Sequence, residues 1–173
     1  MPETPDFYNM KHLLFCITAL LLHTITMAQS NDSLPPYREF PALPGFSMIQ
    51  APDSTWFNPT ELKKKKAVVL IFFSPDCEHC QHETRELIKH IDLFKKVQIV
   101  MYSPLEYKYV KKFYDEYGLG QYKQFTVGSD TRYKLGNFYR AHTYPSIFVY
   151  DKNKKFVEAF EGSIPVEKIA NSL

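Results

Sequence analysis

The chain is poor in cysteine, with three in 173 residues. Cys16 lies in an N-terminal apolar stretch, which leaves Cys77 and Cys80 as the thiols of everything after it. A secreted domain stapled by disulfides carries several scattered pairs. One tight pair closes a loop too short to restrain the unfolded chain much. A structural zinc site needs about four ligands, and no second Cys pair is present. Charge of one sign is also missing. The formal net charge is +2, and no basic stripe is interleaved with aromatics, so nucleic acid is not an expected partner. Long apolar runs are absent too: Leu13 to Met27 spans about 15 residues, short of the ~20 that a spanning helix needs. There are no internal repeats and no second domain, and the length suits one domain plus a processed leader or tail. What the chain does have is aromatic residues, 16% and mostly Phe and Tyr, so its core is expected to be aromatic-rich.

Residues 1–9 are polar and fit no targeting pattern. Met10-Lys11-His12 gives a short basic region, the apolar stretch follows, and Thr26-Met27-Ala28 ends it before polar Gln29-Ser30-Asn31-Asp32. This is the layout of a signal peptide over 1–28, cut after Ala28. It implies an extracytoplasmic location, periplasmic or secreted, with translation starting at Met10; an uncleaved membrane anchor is the alternative. Phe15, just before Cys16, disfavours a lipoprotein. Residues 29–45 hold Pro35, Pro36, Pro41 and Pro44 among Ser, Asn and Asp, and read as an extended linker. The domain is expected over 46–173.

Phe46–Gln50 and Thr55–Phe57 flank Ala51-Pro52-Asp53-Ser54 and predict a short hairpin. Pro59–Leu62 predicts one helical turn. The Lys63–Lys66 run reads as a solvated turn, with a docking patch for an acidic partner as the second reading. Ala67–Phe73 is apolar at every position, which suits a parallel strand covered on both faces. Leu87, Ile88, Ile91 and Phe94 recur at helical spacing after Cys80. Val97–Tyr102 predicts a second buried strand. A helix opened by Pro104 carries Tyr109, Val110, Phe113, Tyr114 and Tyr117 on one side and stops at Gly118 and Gly120. Phe125–Val127 and Ser146–Tyr150 predict strands, with a helical pattern of Leu135, Phe138, Tyr139 and His142 between them. Lys155–Phe160 predicts a last strand and Val166–Ser172 a last helix, with Pro165 at its start. Strands separated by helical patterns imply right-handed crossovers and helices on both faces of one sheet; the last two strands add an antiparallel hairpin.

The chemistry sits at Phe72-Phe73-Ser74-Pro75-Asp76-Cys77-Glu78-His79-Cys80. A buried strand delivers two thiols at Cys-x-x-Cys spacing to a helix start, which is a redox device. With Tyr144-Pro145 leading into a strand about 65 residues later, this stretch resembles the thioredoxin-like superfamily. Within it, the leader, the N-terminal hairpin and Glu83 are similar to the TlpA/ResA-type extracytoplasmic thiol-disulfide oxidoreductases. The resemblance covers roughly residues 40–173 and implies an α/β fold: a three-layer sandwich with a mixed central sheet flanked by helices and an N-terminal β-hairpin extension. It implies no cofactor beyond a redox-active Cys77–Cys80 disulfide and no metal. Protein disulfides or dithiols are the implied substrates, a membrane electron-transfer partner is expected, and the chain is expected to be a monomer.

Cys77 lies at the helix start, where unpaired N–H groups and the helix dipole favour the thiolate. It is expected to attack a substrate disulfide, with Cys80, one turn in and less exposed, resolving the mixed disulfide. His79 stabilising the Cys77 thiolate would make the disulfide more oxidising, and Glu78 pulls the other way. Glu83, three residues after Cys80, shares its helix face; the resemblance implies that it handles the Cys80 proton. Ile71 occupies the place of the buried Asp of thioredoxin itself, which leaves Glu83 the best remaining proton carrier. Glu86 reads as a surface partner of Lys89 or His90. Tyr144-Pro145 is expected to be cis and to face Cys77 as a substrate-binding element. Asp76 and Tyr144 depart from the residues usual at their places. Three other functions compete, of which a non-catalytic interaction domain is disfavoured because both cysteines are intact. A Sco-like copper metallochaperone would use both thiols with a His such as His82 or His142, but Sco proteins have three residues between the cysteines. A thiol peroxidase of peroxiredoxin type would carry a Thr three before Cys77, and none stands there.

Overall fold

The structure is a computed structural model, described over residues 34–173. The leader, its cleavage point and the Met10 start lie outside the described residues. No helix among the described residues is long and apolar enough to cross a membrane.

Seven strands form one sheet: β1 (Met48–Gln50), β2 (Thr55–Phe57), β3 (Ala67–Phe72), β4 (Val97–Ser103), β5 (Phe125–Ser129), β6 (Ser146–Tyr150) and β7 (Phe156–Glu161). Their order across the sheet is β2-β1-β5-β4-β3-β6-β7. Parallel pairs join β3 to β4 and β4 to β5. β6 runs antiparallel to both β3 and β7, and the β1–β2 hairpin adds to the free side of β5 in antiparallel register. The sheet is mixed, as expected. Gly128 permits that hairpin contact, because a Cβ there would lie 2.8 Å from the Met48 side chain and 2.9 Å from the Ile49 carbonyl oxygen.

The helices are α1 (Pro36–Glu39), α2 (Glu78–Lys89), α3 (Tyr107–Glu116), α4 (Lys134–Tyr139) and α5 (Val166–Asn171). Side chains alternate across a strand, so the unbroken apolar run of β3 feeds two cores. Val69 and Ile71 join a core with Cys80 and Leu87 of α2, Val110 and Phe113 of α3, and Val166 and Ile169 of α5. Val68, Leu70 and Phe72 join the opposite core with Tyr37, Leu135 and Tyr139. The chain therefore folds as a helix–sheet–helix sandwich. The second core holds the aromatics foreseen from composition: Tyr139 and Phe148 stack at 4.0 Å between ring centroids, and the buried Tyr139 and Tyr150 hydroxyls share a hydrogen bond of 2.7 Å.

Three sequence expectations are corrected. The extended linker ends before Pro36: α1 is a helical turn, and its Tyr37 ring is buried against Phe148 and Phe156 at 5.2 and 5.0 Å. Proline set the local reading, but an aromatic side chain with a core to enter outweighs it. In α3, Tyr109 faces solvent rather than the sheet, because helical periodicity places it beside, not on, the stripe of Val110 and Phe113. α4 ends at Tyr139, where Arg140 turns into the left-handed region at φ 47°, so His142 lies outside the helix. Gly118 ends α3 by the expected means, taking the left-handed conformation (φ 59°) that costs glycine nothing.

Candidate active site

β3 ends at Phe72 and Phe73 continues its pairing, its N–H donating to the Tyr102 carbonyl at 3.0 Å. Ser74-Pro75-Asp76 then turn the chain into α2. The turn is braced from within: the Ser74 hydroxyl hydrogen-bonds the Asp76 carboxylate, and the Gln81 amide donates to the Pro75 carbonyl at 3.0 Å. Cys77 is the N-cap residue of α2, with extended backbone (φ −83°, ψ 116°) and no side-chain cap. The residue therefore stands at the N-terminus of α2, the positive end of the helix dipole.

Both thiols are free, so the geometry is that of the reduced pair. Cys77 is half-buried and Cys80 is buried. The Cys77 thiol points at the Tyr144 carbonyl oxygen, 3.7 Å away, and the Tyr144–Pro145 peptide bond is cis. Tyr144 is fixed from below by Phe72, with ring centroids 4.7 Å apart. Burial, above all, pushes the Cys80 thiol well above the ordinary cysteine range, and the neighbouring Cys77 and Glu83 add to it. The pair is asymmetric: an accessible sulfur at the helix N-terminus and a protonated one beneath it.

Glu83 is buried, 1% exposed, on the Cys80 face of α2. Its Oε2 accepts hydrogen bonds from the Ser163 hydroxyl at 2.7 Å and the Ile164 N–H at 3.1 Å. Its Oε1 is buried and accepts no hydrogen bond among the described residues. Burial raises its pKa above the usual carboxylate range, and the two hydrogen bonds oppose that rise in part. A carboxyl so placed holds its proton to higher pH than an exposed one does. Ser163 and Ile164 were invisible as site residues, because they follow β7 and lie some eighty positions away in the chain; no local pattern links them to α2. They also line a cavity of ≈ 350 Å³ with His82 and Glu86, which brings solvent up to the Glu83 contacts. Thr84, buried beside Glu83, donates to the Cys80 carbonyl at 2.8 Å.

The fold thus brings Cys77, Cys80, Glu83 and Tyr144-Pro145 together. Glu78 and His79 are exposed on the first turn of α2, and neither hydrogen-bonds a thiol among the described residues, so any influence on the pair acts through space. His82 and His142 are exposed as well. No group of three or more His, Cys, Asp or Glu side chains suited to a metal occurs among the described residues. Glu86 pairs with Lys89 at 3.4 Å and His90 at 3.7 Å, as its spacing predicts. A second cavity, ≈ 290 Å³, opens beside the Cys77 turn between Pro75, Asp76 and Gln81 on one wall and Tyr109, Lys112 and Phe113 on the other.

Similarity to known proteins agrees with this fold. A secreted Mycobacterium tuberculosis disulfide oxidoreductase homologous to E. coli DsbE superposes with a TM-score of 0.61 at 18% identity, covering 73% of this chain and 92% of that one. StoA from Bacillus subtilis gives 0.56 at 17% identity, covering 76% and 98%. Peroxidoxin BcpB from Mycobacterium tuberculosis gives 0.65 at 15% identity, covering 76% and 92%. Comparison with curated protein sequences returned no match. The fold is thioredoxin-like, and both the family and the structural neighbours are redox enzymes, thiol-disulfide oxidoreductases or peroxidases. Residues 42–159 match the AhpC/TSA family model, and the chain belongs to that family.

Proposed function

We propose that the protein is a thiol-disulfide oxidoreductase that acts on protein disulfides outside the cytoplasm. One observation carries the reading: a half-buried Cys77 at a helix N-terminus stands over a buried, protonated Cys80, with the Tyr144 carbonyl across from the attacking sulfur. The Cys77 thiolate attacks one sulfur of a substrate disulfide, forms the mixed disulfide and expels the other substrate sulfur as a thiolate, which takes a proton. Cys80 then loses its proton, attacks Cys77 Sγ and forms the Cys77–Cys80 disulfide, releasing the second substrate thiol. The substrate gains two electrons and the protein loses two, so an external dithiol donor restores the pair. Glu83 receives the Cys80 proton and passes it outward through Ser163 and the adjoining cavity. Tyr144-Pro145 offers backbone groups to an extended substrate segment. The leader-like sequence before Ala28 and the secreted disulfide oxidoreductase among the structural neighbours support the location.

The test is reduction of insulin disulfides by the purified protein with a dithiol donor. Cys77→Ser is expected to lose all activity, and full activity in that variant rejects the reading. Equilibration with glutathione gives the reduction potential and hence the direction: a value near that of thioredoxin marks a reductant and one far higher an oxidant.

A peroxidase reading is the second one, and the family match and the BcpB neighbour support it. There the Cys77 thiolate would cleave a hydroperoxide to a sulfenic acid and an alcohol, and Cys80 would condense with it, releasing water. Rapid hydroperoxide consumption together with inert insulin would favour this second reading.

A further inference from the structure

The lysine run Lys63–Lys66 takes no part in the thiol chemistry, and in the fold it does not stand alone. Parallel pairing brings the starts of β3, β4 and β5 to one end of the sheet, with Ala67 beside Val97 and Ile99 beside Phe125. Antiparallel β6 finishes there, Tyr150 beside Val68. The Lys95–Lys96 pair before β4, Lys123 before β5 and the three lysines of the β6–β7 turn therefore join the run. Ten lysines meet three carboxylates at this pole: Glu61, Asp92 and Asp151. The rest of residues 34–173 carries ten Lys or Arg and thirteen Asp or Glu, so charge is polarised along the strands.

Local pairing does not consume this charge. Among the described residues, the only lysine of the pole in an ion pair is Lys95, with Asp92 at 2.7 Å. The Asp151 carboxylate is turned to the backbone, accepting from the N–H groups of Asn153 and Lys155. Lys154 is the exception among the lysines: its Nζ bonds the Lys63 and Lys66 carbonyls and ties the two turns together. Such a concentration of like charge repels itself, so an anionic partner would relieve it.

The pole contains no arginine. Arginine's planar fork reads single carboxylates or phosphates bidentately, whereas lysine is a hydrated point charge. The cations are spread over four turns, and a cavity among them, bordered by Lys63, Lys66, Lys95 and Lys123, measures only ≈ 100 Å³. That layout suits a plane of anionic charge better than one bound ligand. Leu93, 48% exposed, stands beside the Lys95–Lys96 pair as an apolar contact for such a plane. The N-terminal part of the domain also runs along this pole: Ala42 bridges to Lys155, and Leu43 donates to the Lys154 carbonyl. The sequence upstream of it contains the apolar stretch Leu13–Met27. Cys77 follows the other end of β3, at the far side of the sheet.

We propose that this lysine pole docks on an anionic phospholipid surface, with lipid phosphates facing the lysines, Leu93 at the headgroup boundary and Cys77 directed away from the bilayer. The site is separate from the thiols, so its failure would leave the redox reading intact.

The test is co-sedimentation of the full chain with phosphatidylcholine vesicles, with and without phosphatidylglycerol. Preference for the anionic vesicles, falling as salt is added, is expected. The quadruple variant Lys64→Gln, Lys65→Gln, Lys96→Gln, Lys123→Gln should weaken that binding at least about tenfold, since each lysine near an anionic surface is worth about fivefold in partitioning. The pair Lys64→Gln, Lys96→Gln should lose a smaller share. Both variants carry the same N-terminal segment as the parent, so their difference reads the pole alone, and unchanged insulin reduction shows that they are folded. Equal binding to neutral vesicles, or anionic binding unaffected by the quadruple change, overturns the proposal. Lysine-dependent binding of polyglutamate without vesicle binding also overturns it, and assigns the pole to an acidic protein.

Discussion

On the proposed mechanism, Glu83 is the residue on which the chemistry of the buried thiol turns. Its one-turn spacing from Cys80 is legible in the sequence, but its burial and its partners Ser163 and Ile164 are not. Glu83→Gln is expected to leave the Cys77 attack in place and slow the resolving step, flattening the pH–rate profile of exchange; an unchanged profile rejects the proton role. Ser163→Ala removes the 2.7 Å hydrogen bond that opposes the effect of burial on Glu83, so it should move the same inflection to higher pH without abolishing activity. A stability effect accompanies it. Because the folded pKa of Glu83 is raised above the unfolded value, the folded state binds more protons between the two, and stability falls as pH rises through that window. Asp130 is raised by burial as well and adds to the slope. Urea midpoints measured across this window should decline in the parent and decline less in Glu83→Gln. Equal slopes would mean that Glu83 does not titrate there.

At the scale of elements, β3 and α2 were readable because their signals are local: an unbroken apolar run and two thiols at its end. α1 was not readable. Four prolines between 35 and 44 dominate the local pattern, and only the second core shows what Tyr37 is for. Tyr37→Ala should destabilise the protein by about 3 kcal/mol, in the range for emptying a buried aromatic site. A change within about 0.5 kcal/mol, as for an exposed substitution, would mean that the turn does not contribute to the core. The β1–β2 hairpin was expected as an extension, and it proves to be the edge of the sheet beside β5, placed there by the close approach at Gly128.

At the scale of the whole molecule, the strands hold two unlike ends apart. One gathers lysines and the other presents the thiols, so charge and chemistry are separated along the sheet. The thiol end carries acidic Asp76 and Glu78 beside Cys77. Exchange with a cationic peptide disulfide is expected to run a few-fold faster than with an anionic one of equal length, and the gap should close in high salt. Stopped-flow rates at two ionic strengths decide this, and equal rates at low salt would rule out steering.

The order of elements from β1 to α5, the α/β class and the candidate thiol pair were legible in the sequence, because periodicity, turn residues and Cys-x-x-Cys spacing are written within a few residues of one another. Tertiary structure alone decided which residues complete that centre. Ser163 and Ile164 reach Glu83, and the Tyr144 carbonyl reaches Cys77, only when distant strands pair. The lysine pole arises in the same way: its members come from four separate turns, and strand register, which no local pattern encodes, sets them side by side.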